Sequence, residues 1–328
     1  LARRAILLYL LGLFYYGGMP PESTAPMFRY VGVLQRLAIC CFFAGLIFLN
    51  LRWKGIVATT VLLLRPSKRG NPSSDLEVFM VVRHHQIDAF SGALVFPGGK
   101  LEDADGDKRL RARATGAASL SDDELKFRVA GIREAFEECG VLLAHKRGQK
   151  PLIGAADLKP IEEKWRKKLS DDEASIVDLV EAEDLELATD LMTPYAHWIT
   201  PTFAPKRFDT WFFLAEAPQD QVALHDGSES TDSVWIGAQQ AIDEAKAGRR
   251  TLVHATQKNL ELLAEGGTVA GAIEQARKRT IVTVQPWVEV RDGKRFLHIP
   301  EGAGYRNLVR EMPPQGSPQA GGVPQTGR

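Results

Sequence analysis

Three glutamates within five residues, Glu134, Glu137 and Glu138, lie in the segment VAGIREAFEECGV (129–141). A glycine pair, Gly98 and Gly99, sits upstream in LVFPGGKLEDAD (94–105). Like charges this close repel one another, and a bound divalent cation removes that penalty. Hard cations such as Mg²⁺ or Mn²⁺ take carboxylate, phosphate and water oxygens. The glycine pair supplies a bend at which backbone approaches a metal or a diphosphate. Asp105 offers a further, shorter carboxylate. Arg133 has the i,i+4 spacing of an ordinary ion pair with Glu137. On their own, such glutamates also describe the solvated face of a helix, so their setting has to decide.

That setting is a helix with clear ends. Ser121 followed by Glu124 has the form of a capping box, and Gly140 is a natural stop. At helical periodicity Leu125, Val129, Ile132 and Phe136 form one apolar stripe, and the three glutamates centre on the opposite side. Upstream, IVATTVLLL and LEVFMVV are β-branched, apolar runs separated by RPSKRGNPSSD, and ALVF is a short third strand. Strands are also predicted over 207–217 and 232–237. Helical patterns fill 155–190, 238–247, 255–265 and 268–278. A final β pair is expected in IVTVQPWVEV and RFLHIP, around Asp292-Gly293. This alternation predicts an α/β domain with a mixed sheet over 54–310. The tail, 311–328, is Pro/Gly/Gln-rich and predicted to be disordered.

GGKLEDAD followed by REAFEECGV resembles the Nudix box: Gly, five residues, Glu, seven residues, then Arg-Glu-apolar-x-Glu-Glu-x-Gly-apolar. Gly99 matches the first glycine, and Arg133, Glu134, Glu137, Glu138 and Gly140 match the second half. Two departures stand out. Asp105 replaces the first glutamate, and an insertion at about 106–125 splits the box. Such an insertion is expected to bulge outward at small entropic cost. A split box resembles the branch containing peroxisomal coenzyme A diphosphatases, as do HWITPTFAPKRFDTWFFLA (197–215) and HDGSESTDSVWI (225–236). The resemblance covers roughly 56–306. It implies an α/β/α sandwich around a mixed sheet and hydrolysis of a nucleoside diphosphate linked to another moiety, coenzyme A or an acyl derivative first. It assigns Mg²⁺ or Mn²⁺ to Glu134, Glu137 and Glu138, with Asp105 a weaker ligand. Arg133 would orient a glutamate. Gly98 and Gly99 would approach the diphosphate. Glu229 is either a remote general base or an exposed loop residue. Arg207 either binds phosphate or forms a structural pair with Asp209. The alternative is a catalytically weakened module that binds nucleotide without cleaving it.

Elsewhere the chain limits the function class. Its 328 residues carry 41 basic and 41 acidic side chains, so no global field favours nucleic acid. Three cysteines, Cys40, Cys41 and Cys139, show no metal spacing and suit a reduced setting. Residues 5–16 and 37–51 are apolar runs flanked by Arg3, Arg4, Arg52 and Lys54. They predict a transmembrane helical hairpin over 1–53, which would anchor a cytoplasmic Nudix domain to a membrane. RYVGVLQRLAICCFFAGLIFLNLRW resembles one helix of the heparan-glucosaminide acetyltransferase-like membrane proteins. Together with the start at Leu1, it suggests a fragment or a fusion. The chain ends QTGR, unlike a Ser-Lys-Leu peroxisomal address.

Overall fold

The computed structural model describes residues 56–67, 76–83, 92–204, 207–221, 223 and 230–312. All belong to the second of two units, Leu1–Gly55 and Ile56–Arg328. Glu229, His84, His85, the segment 1–53 and the tail beyond Met312 lie outside the described residues.

The centre of the domain is β1 (Ile56–Pro66), whose apolar run is continuous because both of its faces are covered. Val61 and Leu63 point into one core, Leu62 and Leu64 into another, and all four are fully buried. Beside β1 lie β2 (Leu76–Arg83) and β3 (Leu94–Val95), with β4 (Gly98–Lys100) also pairing β1. On the other side come β8 (Phe208–Glu216), β7 (Thr193–Ile199) and β10 (Thr283–Val284), while β9 (Ser230–Ile236) pairs β2. β1 and β8 run parallel over their whole pairing, and β1–β2, β1–β4 and β7–β8 are antiparallel. The sheet is therefore mixed.

Helix α1 (Asp122–Cys139) covers one face, placing Val129, Ile132 and Phe136 against Val61, Leu63 and Phe79. On that side lie also α2 (Ala155–Ser170), α3 (Ile176–Ala182) and a small antiparallel pair, β5 (Ala144–Lys146) with β6 (Leu185–Leu187). The other face carries α4 (Ala238–Lys246), α5 (His254–Leu263) and α6 (Val269–Lys278), packed through Ile242, Leu260 and Val269 on Leu62 and Leu64. The architecture is the expected α/β/α sandwich. A meander, β11 (Trp287–Arg291), β12 (Lys294–His298) and β13 (Val309–Met312), follows.

Three differences from the sequence reading have physical causes. The single helical pattern over 155–190 is broken: α2 gives way at Asp171 and Asp172, the latter at φ 57°, and Ser175 caps α3 anew. The insertion does not bulge outward. It folds into short 3-10 turns, Lys108–Arg113 and Ala117–Ser119 among them, that bury Leu110 and Ala117 in the core. Arg109 bonds Glu181 at 2.8 Å, and the Thr115 N–H bonds the Leu187 carbonyl at 2.9 Å, which ties the insertion to α3 and β6.

The third is the membrane hairpin. Among the described residues no helix is long and apolar enough to cross a membrane, and the segment 1–53 that was to form the hairpin lies outside them. The α/β/α sandwich stands without the transmembrane hairpin, and the membrane-anchored reading is withdrawn.

Candidate active site

Both ends of α1 are built as its sequence demands. The Ser121 side chain accepts from the Glu124 N–H while the Glu124 carboxylate accepts from the Ser121 N–H at 2.9 Å. At the other end Gly140 takes φ 69°, a left-handed conformation that glycine adopts without strain. The helix is thereby fixed end to end, and its polar side is not a solvated face. Glu134 is buried, and Glu137 keeps only 12% of its side chain exposed.

Arg133, 1% exposed, organises this face. Its Nε and Nη2 donate to the two oxygens of Asp105 at 2.9 and 3.1 Å, and Nη2 also donates to the Lys100 carbonyl at 2.8 Å. Its Nη1 lies 3.2 Å from Glu137 and 3.1 Å from both Glu134 and Glu102. Asp105 is itself fully enclosed, and its Oδ2 accepts from the Glu102 N–H at 2.7 Å. Both of its oxygens are thus engaged.

The glycine pair meets these carboxylates at contact distance. The Gly98 N–H donates to Glu138 at 3.0 Å. A Cβ on Gly99 would lie 2.5 Å from Oε2 of Glu134, so no larger residue fits without moving that carboxylate. A Cβ on Gly98 would strike the backbone of Thr59 and Thr60 on β1. The bend and the glutamates anticipated as two halves of one site do come together.

The electrostatics follow from crowding four carboxylates around one guanidinium. Burial pushes the Glu134 carboxyl up to about 8 and that of Glu137 to about 7, with Arg133 opposing and the neighbouring carboxylates adding to the rise. Glu102 is raised for the same reason, and Arg133 is held firmly protonated by Asp105 and Glu134. A surplus of oxygen donors and negative charge is the chemistry a hard divalent cation satisfies. As they stand, however, the glutamates face Arg133 and Gly98, and among the described residues no group of three or more is arranged as a metal cage.

From this cluster a cleft of about 880 Å³ opens across the sheet. Lys100 on β4 is in register with Ala58 on β1, Ala58 with Thr210 on β8, and Thr210 with Trp198 on β7. Lys100, Ala58, Thr210 and Trp198 all line the cleft, so it crosses three strand spacings, about 14 Å. Glu102, Glu134 and Glu137 line it on the β4 side, Trp198, Phe208 and Phe212 wall it on the β7 and β8 side, and Val253, Pro286 and Leu297 add further apolar lining. Arg207 is not among the lining residues; its Nε lies 3.4 Å from the Thr200 carbonyl. Asp209 pairs with His197 at 2.6 Å instead of with Arg207. The Trp-bearing segment 198–213, read from the sequence as able to receive an apolar arm, does supply Trp198, Phe208 and Phe212 to the lining, whereas sequence reasoning missed Glu102 and His254. Glu102 had a visible signal, a carboxylate beside the glycine bend; His254 becomes a neighbour of the site only through the bridge of Leu252 to Leu94.

A crystal structure of a Nudix hydrolase from Alicyclobacillus acidocaldarius superposes with a TM-score of 0.56 at 20% identity, covering 67% of this chain and 96% of that one. The fold is that of a Nudix hydrolase. Residues 110–253 match the family model of the NUDT19 Nudix domain. The acyl-coenzyme A diphosphatase NUDT19 of Xenopus laevis is 24% identical over 220 residues, 56% of this chain and 58% of that protein. The putative nudix hydrolase 7 of Caenorhabditis elegans is 29% identical over 178 residues, 53% of this chain and 51% of that one. The chain thus spans between half and three fifths of these curated relatives. The match lies over 110–253, not over the first 53 residues, and the resemblance of that segment to a multi-pass membrane acetyltransferase is withdrawn with the hairpin.

Proposed function

We propose that this protein is a metal-dependent hydrolase of nucleoside diphosphates linked to a second moiety, with coenzyme A or an acyl derivative as its preferred substrate class. The observation that carries this reading is the two-ended cleft. Carboxylates and the glycine bend lie at one end, and an apolar wall about 14 Å away at the other suits a long, weakly polar arm. A sugar nucleotide would leave that wall unfilled and would ask for more polar partners than it offers. The relatives named as acyl-coenzyme A diphosphatases add to the same choice.

Glu134, Glu137 and Glu138 are the residues that would hold Mg²⁺ or Mn²⁺. Bound there, the metal would neutralise phosphate oxygens and lower the pKa of a water. The chain's own contribution is positional. Asp105, with both oxygens on Arg133, acts in this reading as the clamp of the guanidinium rather than as a ligand. Arg133 in turn holds Glu134 and Glu137 as a pair, and Gly98 and Gly99, lacking side chains, let strand β1 and the Glu134 carboxylate come close to the backbone.

The test compares coenzyme A, ADP-ribose and dGTP with Mg²⁺ or Mn²⁺, products being identified by mass, for the parent and Glu138→Gln. Cleavage of coenzyme A to phosphopantetheine and adenosine 3′,5′-bisphosphate should dominate, and the variant should lose several kcal/mol of catalysis, orders of magnitude in rate. Equal rates in parent and variant would remove the metal site. Tight binding without turnover would make the protein a nucleotide-binding module.

A further inference from the structure

We propose that His254 is the specificity-determining residue for the arm beyond the diphosphate, donating a hydrogen bond from Nε2 to a carbonyl on that arm, with Tyr305 as its positioning partner through Trp198. This rests on the functional reading above and deepens it. His254 opens α5 and lines the cleft beside Val253, within the part walled by Trp198 and Phe212. Glu102, Glu134 and Glu137 line the same cleft, on and beside β4 and α1. An amide-bearing arm entering an apolar wall needs a partner for its carbonyl, since a buried, unmet acceptor is costly.

The ring is in the right protonation state for this role. Its Nδ1 is enclosed without a hydrogen-bond partner, whereas Nε2 is not enclosed in that way. A buried N–H without an acceptor is rarer than a bare lone pair, so the single proton of the neutral ring belongs on Nε2. The ring is neutral because burial, with Arg310 and Lys258 nearby, depresses its pKa to about 4. A neutral donor suits a carbonyl; it would do little for a phosphate.

The ring is also held in place. His254 stands edge-on to Trp198 with centroids 6.0 Å apart. Trp198 is almost fully buried, and its Nε1 donates to the Tyr305 hydroxyl at 2.9 Å. Tyr305 packs edge-on against the same indole at 5.4 Å and donates to Asn259 on α5 at 2.7 Å. The loop, the sheet and the helix that carries His254 are thereby joined through one hydroxyl.

The experiment uses the full chain with two readouts. The first is kcat and KM on coenzyme A and on ADP-ribose, a diphosphate that lacks the arm. The second is binding of 4′-phosphopantetheine to metal-free protein, followed by tryptophan fluorescence, which needs no turnover. His254→Phe should raise KM for coenzyme A and weaken phosphopantetheine about tenfold, the worth of one neutral hydrogen bond, with kcat and ADP-ribose unchanged. His254→Gln, which keeps a donor, should recover most of the loss, and Tyr305→Phe should act in the same direction on KM alone. Unchanged phosphopantetheine binding in His254→Phe overturns the proposal, as does an equal loss on both substrates or no recovery by glutamine. Phosphopantetheine binding that depends on His254 in a protein hydrolysing no diphosphate would support this assignment and overturn the hydrolase reading.

Discussion

Replacing Arg133 by glutamine would expose how the acidic cluster is balanced. Asp105, Glu102, Glu134 and Glu137 all lie within 3.2 Å of this one guanidinium, which is 1% exposed. Removing one partner of a buried pair costs about 3–5 kcal/mol, because the other charge stays buried and uncompensated. That is roughly a fifth or more of an ordinary domain's stability of about 5–15 kcal/mol. The loss should also depend on pH. Glu134 and Glu137 are raised to about 8 and about 7, so below those values the metal-free folded state holds protons that the unfolded chain, titrating near 4.5, has released. Stability of the metal-free parent therefore falls as pH rises from about 4.5 to about 8. Without Arg133 the two carboxyls titrate higher still, so the deficit of the variant widens across the same window and beyond. Urea unfolding in EDTA at about pH 5.5 and about pH 8.5 measures both slopes. A double-mutant cycle with Asp105→Asn should return a coupling of about 2 kcal/mol. A deficit below about 1 kcal/mol, the range of a surface ion pair, or one equal at both pH values, would refute the balance described.

Gly99→Ala should fold normally yet lower kcat about a hundredfold, because its Cβ would displace the Glu134 carboxylate by more than an ångström; circular dichroism and kinetics separate the two effects, and parent-like turnover would show that Glu134 moves freely. Binding of Mg²⁺ at about pH 7 should release about one proton, falling toward none above about pH 9, as Glu134 and Glu137 give up theirs. Calorimetry in buffers of different ionisation enthalpy reads that number, and pH-independent release of none would remove both residues as ligands.

The glutamate helix could be read from the chain because every local signal agreed: the Ser121 cap, the stripe from Leu125 to Phe136 and the Gly140 stop. Its approach to the glycine pair was anticipated as well. The cleft was not, because its wall comes from β7 and β8, which reach β4 through the pairing of β1 with β8, and from α5, whose entry is set by the bridge of Leu252 to Leu94. No local pattern encodes that pairing. Strand β7 was missed for a different reason: in TPYAHWI a proline and a register shift between Pro194 and Ala196 blur the alternation that marks a strand. The insertion misled because its buried anchors, Leu110 and Ala117, are scattered among basic and small residues and show no helical or strand periodicity. The Asp209 pairing also escaped sequence reasoning. Neighbouring charges in KRFDT suggested a local pair, yet in β8 the carboxylate of Asp209 meets His197 from the strand alongside.

The parallel union of β1 and β8 has a consequence for how the chain acquires its shape. Ile56 is matched with Phe208 and Leu64 with Glu216, so the central strand emerges early in synthesis and waits for a neighbour made much later. Until then the Leu62 and Leu64 face of β1 has neither β8 nor the helices α4 to α6 to cover it. Long-range parallel pairing is slow to form and leaves sticky intermediates exposed. On this topology the glutamate helix, its cap and its arginine clamp can assemble while the protein is still being made, but the wall carrying Trp198 and His254 has to be the last part of the cleft to appear. Refolding from urea should accordingly restore α1 helicity well before it restores the environment of Trp198.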